Sequence, residues 1–137
     1  MEFIVEGDPQ GKARPRFSQK SGTVYTPAKT AKYEKLIREA FITAGGKAIP
    51  ADCYVKVIIK AYFKIPKSFS KKRKALCEEN FTKPAKRPDL DNCAKVVLDA
   101  LNGVAYKDDA MVTTLAVCKR YTSGAGMLKI RVLEDKE

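Results

Sequence analysis

Glycine and proline divide this chain into short segments, and the order of those segments is what most limits its fold. Hydrophobic alternation predicts strands, and helical spacing predicts helices. In chain order the predicted elements are a strand at residues 2–7, a helix at 28–44, a strand at 52–64, helices at 68–80 and 89–101, and strands at 112–121 and 127–133. This order is typical of an α+β, or mixed α/β, fold in which helices cover one face of a four-stranded sheet. Because a short glycine-containing turn joins the last two strands, we expect them to form an antiparallel hairpin. We expect residues 1–137 to form one domain.

The charge of the chain limits its partners. There are 27 Lys and Arg residues against 16 Asp and Glu, a formal net charge of +11. This excess predicts a polyanionic partner, and nucleic acid fits better than a membrane because no segment predicts a basic amphipathic helix with a wide apolar face. No apolar run approaches the roughly 20 residues that cross a bilayer, and the start MEFIVEGDPQ lacks a signal-peptide pattern. We therefore expect a cytoplasmic protein with no membrane partner.

The cysteine and histidine content limits the chemistry. Cys53, Cys77, Cys93 and Cys118 are widely spaced without a CxxC pair, and histidine is absent. We expect reduced, mostly buried cysteines in preference to a zinc site. Without an imidazole base, catalysis would depend on carboxylates, lysines, tyrosines or a hard metal ion.

Two basic stretches are candidate contacts to DNA phosphates. The composition of segment 10–27 predicts an exposed loop, with a small hairpin around Ser21 and Gly22. The run KKRK lies in residues 68–80, where a short helix is predicted and a mobile basic loop is the alternative. Either stretch can equally be an ordinary solvated surface. In the first stretch, Phe17 follows a proline-stiffened RPR sequence and is a candidate for stacking on an exposed base. The candidate DNA-binding residues are Lys12, Arg14, Arg16, Lys20, Lys71, Lys72, Arg73 and Lys74.

The stretch KRPDLDNCAKVVLDALNGVAYKDDAMV, residues 86–112, concentrates acid in an otherwise basic chain. A predicted core stripe runs along the helix through Leu90, Cys93 or Ala94, Val97 and Leu101. Asp89 precedes the helix, Asp91 lies in its first turn, and Asp108 and Asp109 follow the next turn. We expect three or four of these carboxylates to converge.

Each acid also has a purely structural interpretation. Asp89 can be an N-cap, Asp91 a first-turn acid that complements the helix dipole, and Asp108 and Asp109 a solvated turn. Lys95 can form ion pairs with Asp91 and Asp99, each four residues away. Together, however, clustered like charges repel unless a cation compensates them, and a hard divalent ion held by carboxylate oxygens does so.

The motif residues resemble a known family. The PDLDNCAK sequence followed by LDALN and DDA is similar to the signature of the RusA family of Holliday junction resolvases, which are small dimeric Mg²⁺-dependent endodeoxyribonucleases often encoded by prophages. GDPQGKARPRF near the N-terminus resembles the GxPxxKxRPRF opening of many members. The resemblance implies a RusA-like fold, a homodimer, and branched DNA, the Holliday junction, as substrate.

The resemblance also implies roles for individual residues. Asp89, Asp91 and Asp109 correspond to the metal ligands, and Lys95 to the motif lysine implicated in catalysis. We expect Mg²⁺ as the cofactor, with Mn²⁺ able to substitute for it. Two positions depart from the family pattern: Cys93 replaces a usual leucine, and Met111 replaces a common glutamine, which puts any substrate contact made there in doubt.

The remaining residues of the motif have supporting roles. We expect Asn92 and Asp108 to orient the ligating carboxylates, and Asp99 to form a structural ion pair. The leading hypothesis is a nuclease that resolves four-way junctions by paired symmetric phosphodiester hydrolysis in recombination and repair. A less selective branched-DNA or flap nuclease, and a non-catalytic nucleic-acid-binding protein, remain the alternatives.

Overall fold

The computed structural model describes all residues, 1–137, as a mixed four-stranded sheet, a separate two-stranded hairpin and three α-helices. The α+β prediction is confirmed. In chain order the elements are β1 (Glu2–Glu6), β2 (Arg16–Ser18), β3 (Thr23–Tyr25), α1 (Ala28–Thr43), β4 (Val55–Lys64), α2 (Lys71–Glu78), α3 (Leu90–Leu101), a 3₁₀ turn (Asp109–Met111), β5 (Val112–Thr122) and β6 (Met127–Glu134).

The main sheet has the strand order β1-β6-β4-β5. Strand β6 pairs antiparallel with β1 and β4, whereas β5 pairs parallel with β4. The prediction of a hairpin between the last two strands is therefore wrong, because β4 lies between them. Residues 123–126 connect β5 to β6 over the end of β4, and a span of two strand spacings, about 10 Å, is within reach of four residues.

The core lies between one face of the sheet and two helices. Strand β4 buries every second residue, from Val55 to Phe63, and these side chains meet buried residues of α1 and α3. The predicted stripe of α3 is confirmed at its cysteine, alanine, valine and C-terminal leucine positions, but Leu90 is exposed. On α1, Tyr33 and Ile37 face the core, and Leu36 is exposed.

The cysteines are all free. Cys77 and Cys93 are buried, and Cys53 and Cys118 are half-buried. Burial raises the pKa of the Cys93 thiol to about 11 despite the nearby Lys119 ammonium, so this thiol is protonated at neutral pH and acts as a small apolar core residue. None of the helices is both long and apolar enough to cross a membrane.

Candidate active site

The N-terminus of α3 presents two carboxylates with no structural partner. Asp89 occupies the N-cap position in an extended conformation, but its side chain accepts no capping hydrogen bond. Asp91 lies in the first turn, and both side chains are exposed. An N-cap aspartate normally accepts a bond from a backbone N–H of the first turn. The absence of that bond leaves the Asp89 carboxylate available for a ligand.

The loop at residues 9–15 packs directly against the N-terminus of α3. The Lys12 backbone N–H donates to the Asn92 carbonyl at 3.2 Å, and the Ala13 N–H donates to Thr30 Oγ1 at 3.3 Å. A Cβ at Gly11 would lie 2.8 Å from the Pro88 Cβ and 2.9 Å from the Asn92 Cβ. Glycine is thus required at position 11 for the loop to approach α3 this closely.

Lys12 ties the loop to both core helices. Its ammonium lies 3.0 Å from Glu34 Oε2 on α1 and 3.1 Å from Asp99 Oδ2 on α3, and the side chains of Lys12 and Glu34 are each only 11% exposed. Burial acts to lower the pKa of Lys12, but hydrogen bonds to Glu34 and Asp99 outweigh it and raise the pKa above 10.5. Asp99 forms the predicted structural ion pair, although its partner is Lys12. An ammonium held by two carboxylates is poorly placed for the phosphate contact predicted for Lys12.

The loop and the helix terminus enclose a cavity of about 630 Å³, here called the site cavity. Two carboxylates and four cationic groups line it, together with backbone of the loop. Because opposite charges face one space, the cavity can accept a cation and an anion together. Its lining residues are Lys12, Ala13, Arg14, Pro15, Arg87, Asp89, Asp91, Asn92 and Lys95.

Arg87 is a candidate that sequence reasoning missed. It lines the site cavity and also two neighbouring cavities of about 450 and 430 Å³. Lys64, Lys67 and Lys86 line the first neighbour, together with Asp8, and Lys29 lines the second. The sequence signal was the KRP sequence directly before the first acid of the motif. These cations extend the basic surface on either side of the site cavity.

Lys95 is exposed and makes no ion pair. The ion pairs of the structure involve neither Lys95 nor Asp91, so the structural alternative for Lys95, an i,i+4 pair with Asp91 or Asp99, is not observed. Asp99 is instead occupied by Lys12. The Lys95 ammonium therefore faces the site cavity without a carboxylate partner.

Asp109 lies at the other end of α3 from Asp89 and Asp91. Its pKa is raised by a hydrogen bond with Asp108, by desolvation and by the charges of Asp108 and Asp99. Asp91 and Asp99 are eight residues apart, about 12 Å along the helix axis. No group of three or more His, Cys, Asp or Glu side chains is close enough to hold one metal ion, so the expected convergence of three or four carboxylates is not present.

The residues flanking Asp109 have structural contacts. Asp108 caps the 3₁₀ turn, where its Oδ1 accepts from the Ala110 N–H at 3.3 Å. Met111 is half-buried against the hydrophobic core. The methionine that departs from the family pattern therefore contributes to packing.

The remaining predicted DNA contacts fall in two places. Arg14 lines the site cavity, Arg16 lies on β2, and Lys20 lies in the exposed β2–β3 turn. The run Lys71, Lys72, Arg73 and Lys74 forms the first turn of α2, which Ser70 caps by accepting from the Arg73 N–H at 3.2 Å. The Arg73 guanidinium stacks 3.7 Å from the Phe69 ring centroid, and none of this run lines the site cavity.

Fold and site together define a small, strongly basic α+β protein. Unpaired carboxylates and cationic side chains cluster at the N-terminus of its helix α3. The family model for endodeoxyribonuclease RusA matches residues 6–133, and the chain belongs to this family of Holliday-junction-resolving endonucleases. The chain is also 35% identical over 134 residues to the uncharacterized protein YqaN of Bacillus subtilis (strain 168), covering 89% of this chain and 88% of that protein.

Proposed function

We propose that this protein is a Mg²⁺-dependent endodeoxyribonuclease that resolves Holliday junctions by paired, symmetric phosphodiester hydrolysis. The observation that carries this proposal is the site cavity, in which Asp89 and Asp91 are free of structural partners and face Arg14, Arg87 and Lys95. Family membership over residues 6–133 supports the reaction class.

The donor set fits magnesium. Asp89 and Asp91 offer exposed carboxylate oxygens, and Mg²⁺ typically takes one or two carboxylates and completes its shell with water and substrate phosphate. When bound there, the ion would polarise the phosphate and lower the pKa of an attacking water. Mn²⁺, which prefers the same oxygen ligands, is expected to substitute. The family pattern adds Asp109 as a further ligand. Because its carboxylate does not converge with those of Asp89 and Asp91 in this structure, this role would require Asp109 to approach them when metal and DNA bind.

The cationic residues have a separate task in this proposal. Arg14 and Arg87 bind and orient the backbone phosphates at the mouth of the site cavity, because a guanidinium offers paired donors to phosphate oxygens. Lys95 has no carboxylate partner, so its ammonium can stabilise negative charge that develops on the phosphoryl oxygens. Asn92 lines the same cavity, and its proposed role is to orient the adjacent Asp91 carboxylate when the metal is bound.

The two alternatives make different demands on the site. A non-catalytic DNA-binding protein has no need of exposed carboxylates facing the phosphates, since they weaken binding to a polyanion. The missing capping bond of Asp89 therefore favours catalysis. A less selective branched-DNA or flap nuclease would use the same residues and differs only in substrate.

Paired incision leads us to propose a homodimer. Symmetric cuts on two opposing strands require two active sites related by a two-fold axis. Each chain has a single site cavity of this composition, so two copies of the chain would supply the pair.

The test is cleavage of a mobile four-way junction, a flap and a linear duplex, each with Mg²⁺ and with excess chelator. The proposal predicts paired, symmetric nicks in the junction that depend on metal, and binding of the junction in chelator without cutting. Equal cutting of flap and junction would favour the less selective nuclease. Binding without cutting under every condition would favour the non-catalytic alternative, and efficient cutting in chelator would exclude a role for the metal.

A further inference from the structure

The β2–β3 hairpin exposes apolar side chains on both of its faces. Phe17 and Val24 are register partners, so they share one face, and they are 63% and 68% exposed. Tyr25 is 46% exposed and pairs with Arg16 on the opposite face. Large side chains left in solvent on both faces of one small element need an explanation beyond folding.

The hairpin gains little from the rest of the fold. Its two strands form a sheet separate from the main one, and none of its residues belongs to the hydrophobic core. An isolated two-stranded hairpin is only marginally stable in water. Since exposed clusters of apolar side chains mark interaction sites, the hairpin is a candidate docking surface for a partner.

The charge around the hairpin indicates the kind of partner. No Asp or Glu occurs from residue 9 to residue 33. The same stretch contains five cations besides Lys12, whose ammonium is already paired: Arg14, Arg16, Lys20, Lys29 and Lys32. Aromatic and apolar side chains set among cations suit single-stranded or unstacked nucleic acid, in which each base offers a flat face beside a phosphate. A second copy of this chain, with its own net charge of +11, complements the stretch poorly.

The position of the hairpin links it to the cleavage site. Arg14 and Pro15, which lead directly into β2, line the site cavity with Asp89 and Asp91. Arg16, the first residue of β2, lines the adjacent cavity with Arg87. DNA whose backbone enters the site cavity therefore has its neighbouring bases beside the hairpin.

We propose that the β2–β3 hairpin binds unstacked bases at the branch point of the substrate, with Phe17 as the stacking side chain. This inference rests on the proposed function, because only branched DNA offers unstacked bases beside paired arms. Phosphate contacts bind any duplex, whereas the hairpin adds affinity for the branch point, and it is therefore an element of structure selectivity.

The experiment uses the full-length protein in chelator, so that no strand is cut. A four-way junction carries 2-aminopurine at the branch point, and a second junction carries it within one arm. Wild type should raise the fluorescence at the branch point only. Phe17→Ala should abolish that rise and weaken junction binding about tenfold, the loss expected when one stacking partner is removed, with linear-duplex binding unchanged.

Two further variants control the measurement. Phe17→Trp keeps a stacking ring and should retain the fluorescence rise. Phe81→Ala removes an aromatic ring that is 77% exposed after the end of α2 and should behave as wild type. Circular dichroism and melting of Phe17→Ala should match wild type, because Phe17 makes no core contact.

The outcomes separate this inference from the proposed function. If wild type cuts junctions but Phe17→Ala keeps the branch-point signal and full junction affinity, the inference is wrong and the function stands. If Phe17→Ala instead converts a dimer to a monomer in sedimentation while the fluorescence rise remains, the hairpin is a protein interface. If wild type neither binds nor cuts junctions, the proposed function and the inference both fail.

Discussion

At the scale of single residues, the two ends of α3 differ in what their carboxylates contact. Asp89 makes no capping bond and Asp91 no ion pair, whereas Asp108 caps a 3₁₀ turn and Asp99 holds Lys12. The acids without structural partners are the candidates for metal binding. The acids with partners stabilise the local structure: Asp108 caps its turn, and Asp99 helps to hold Lys12.

Asp108 and Asp109 offer a matched pair of substitutions at adjacent exposed positions. Loss of a group that only supports a metal ligand typically costs about 10–100-fold in activity. Asp109→Asn should reduce cleavage by more than this. Asp108→Asn should cost only a few-fold, because an asparagine oxygen can still accept from the Ala110 N–H. Single-turnover cleavage of a four-way junction measures both variants. Equal effects of the two changes would remove Asp109 from the metal site.

The role of Lys95 can be tested by comparing the effects of its substitution on cleavage and on junction binding. Lys95→Ala should reduce single-turnover cleavage by about 10²–10³-fold, since it removes a charge that acts on the transition state, and should leave junction affinity in chelator nearly unchanged. Lys107→Ala, at an exposed lysine in the turn after α3, is the control and should cut normally. A parallel loss of binding and cleavage in Lys95→Ala would make Lys95 a phosphate contact only.

At the scale of elements, the loop at residues 9–15 is held to α1 and α3 by contacts that no local sequence pattern predicts. Lys12 reaches Glu34 and Asp99, and Gly11 packs on Pro88. These contacts hold the loop so that Arg14 lines the same cavity as Asp89 and Asp91. The geometry of the site cavity thus depends on a nearly buried ion pair as well as on the motif.

Lys12→Met tests this ion pair. The change leaves Glu34 with an uncompensated charge in a nearly buried position, which typically costs about 3–5 kcal/mol of unfolding free energy. Lys35→Met removes the exposed Lys35–Glu39 pair and should cost no more than about 1 kcal/mol. Urea denaturation measures both variants. A loss in Lys12→Met as small as that in Lys35→Met would show that the pair does not hold the loop.

The pKa of Lys12 adds a pH dependence to this prediction. Because the folded-state pKa is raised above 10.5, the stabilisation is complete below that pH and is lost only as the pH rises through the raised value. The difference between wild type and Lys12→Met should therefore stay constant from about pH 8 to 9, and should narrow only at lower pH, where the unpaired Glu34 of the variant takes up a proton. A difference that shrinks between about pH 8 and 9 would contradict the assigned pairing.

The elements differ in how far sequence could predict them. Helix α3 follows from local spacing, and its cavity-lining residues Asp89, Asp91 and Lys95 follow from the motif. The placement of β5 beside β4 does not, because strand pairing depends on contacts between segments distant in sequence. For the same reason the partner of Asp99 and the separate position of Asp109 required the structure.

At the scale of the whole molecule, the charge is unevenly distributed. The chain carries +11, yet the exposed carboxylates of α3 sit among the cations of the site cavity. In the proposed function, the basic exterior attracts DNA and the local carboxylates hold a cation at one point on that surface. Binding and cutting should therefore be separable properties of the protein.

The proposed dimer is a whole-molecule prediction. Sedimentation at the working concentration should give twice the chain mass of 15.2 kDa, because paired incision requires two sites. Mixing wild type with an inactive Asp91→Asn chain should yield heterodimers that nick one strand only. A monomer that still makes paired incisions would contradict the dimer.

The central claim is that carboxylates at the N-terminus of α3 hold a catalytic metal. Its most direct test is single-turnover cleavage of a mobile four-way junction by Asp91→Asn in Mg²⁺, with a gel shift of the same junction in Ca²⁺. We predict loss of nearly all cleavage with junction binding at least as tight as that of wild type, since the change removes a negative charge facing the phosphates. Near-normal cleavage by Asp91→Asn would contradict the claim, because an asparagine at this first-turn position preserves its structural role but provides no carboxylate for the metal.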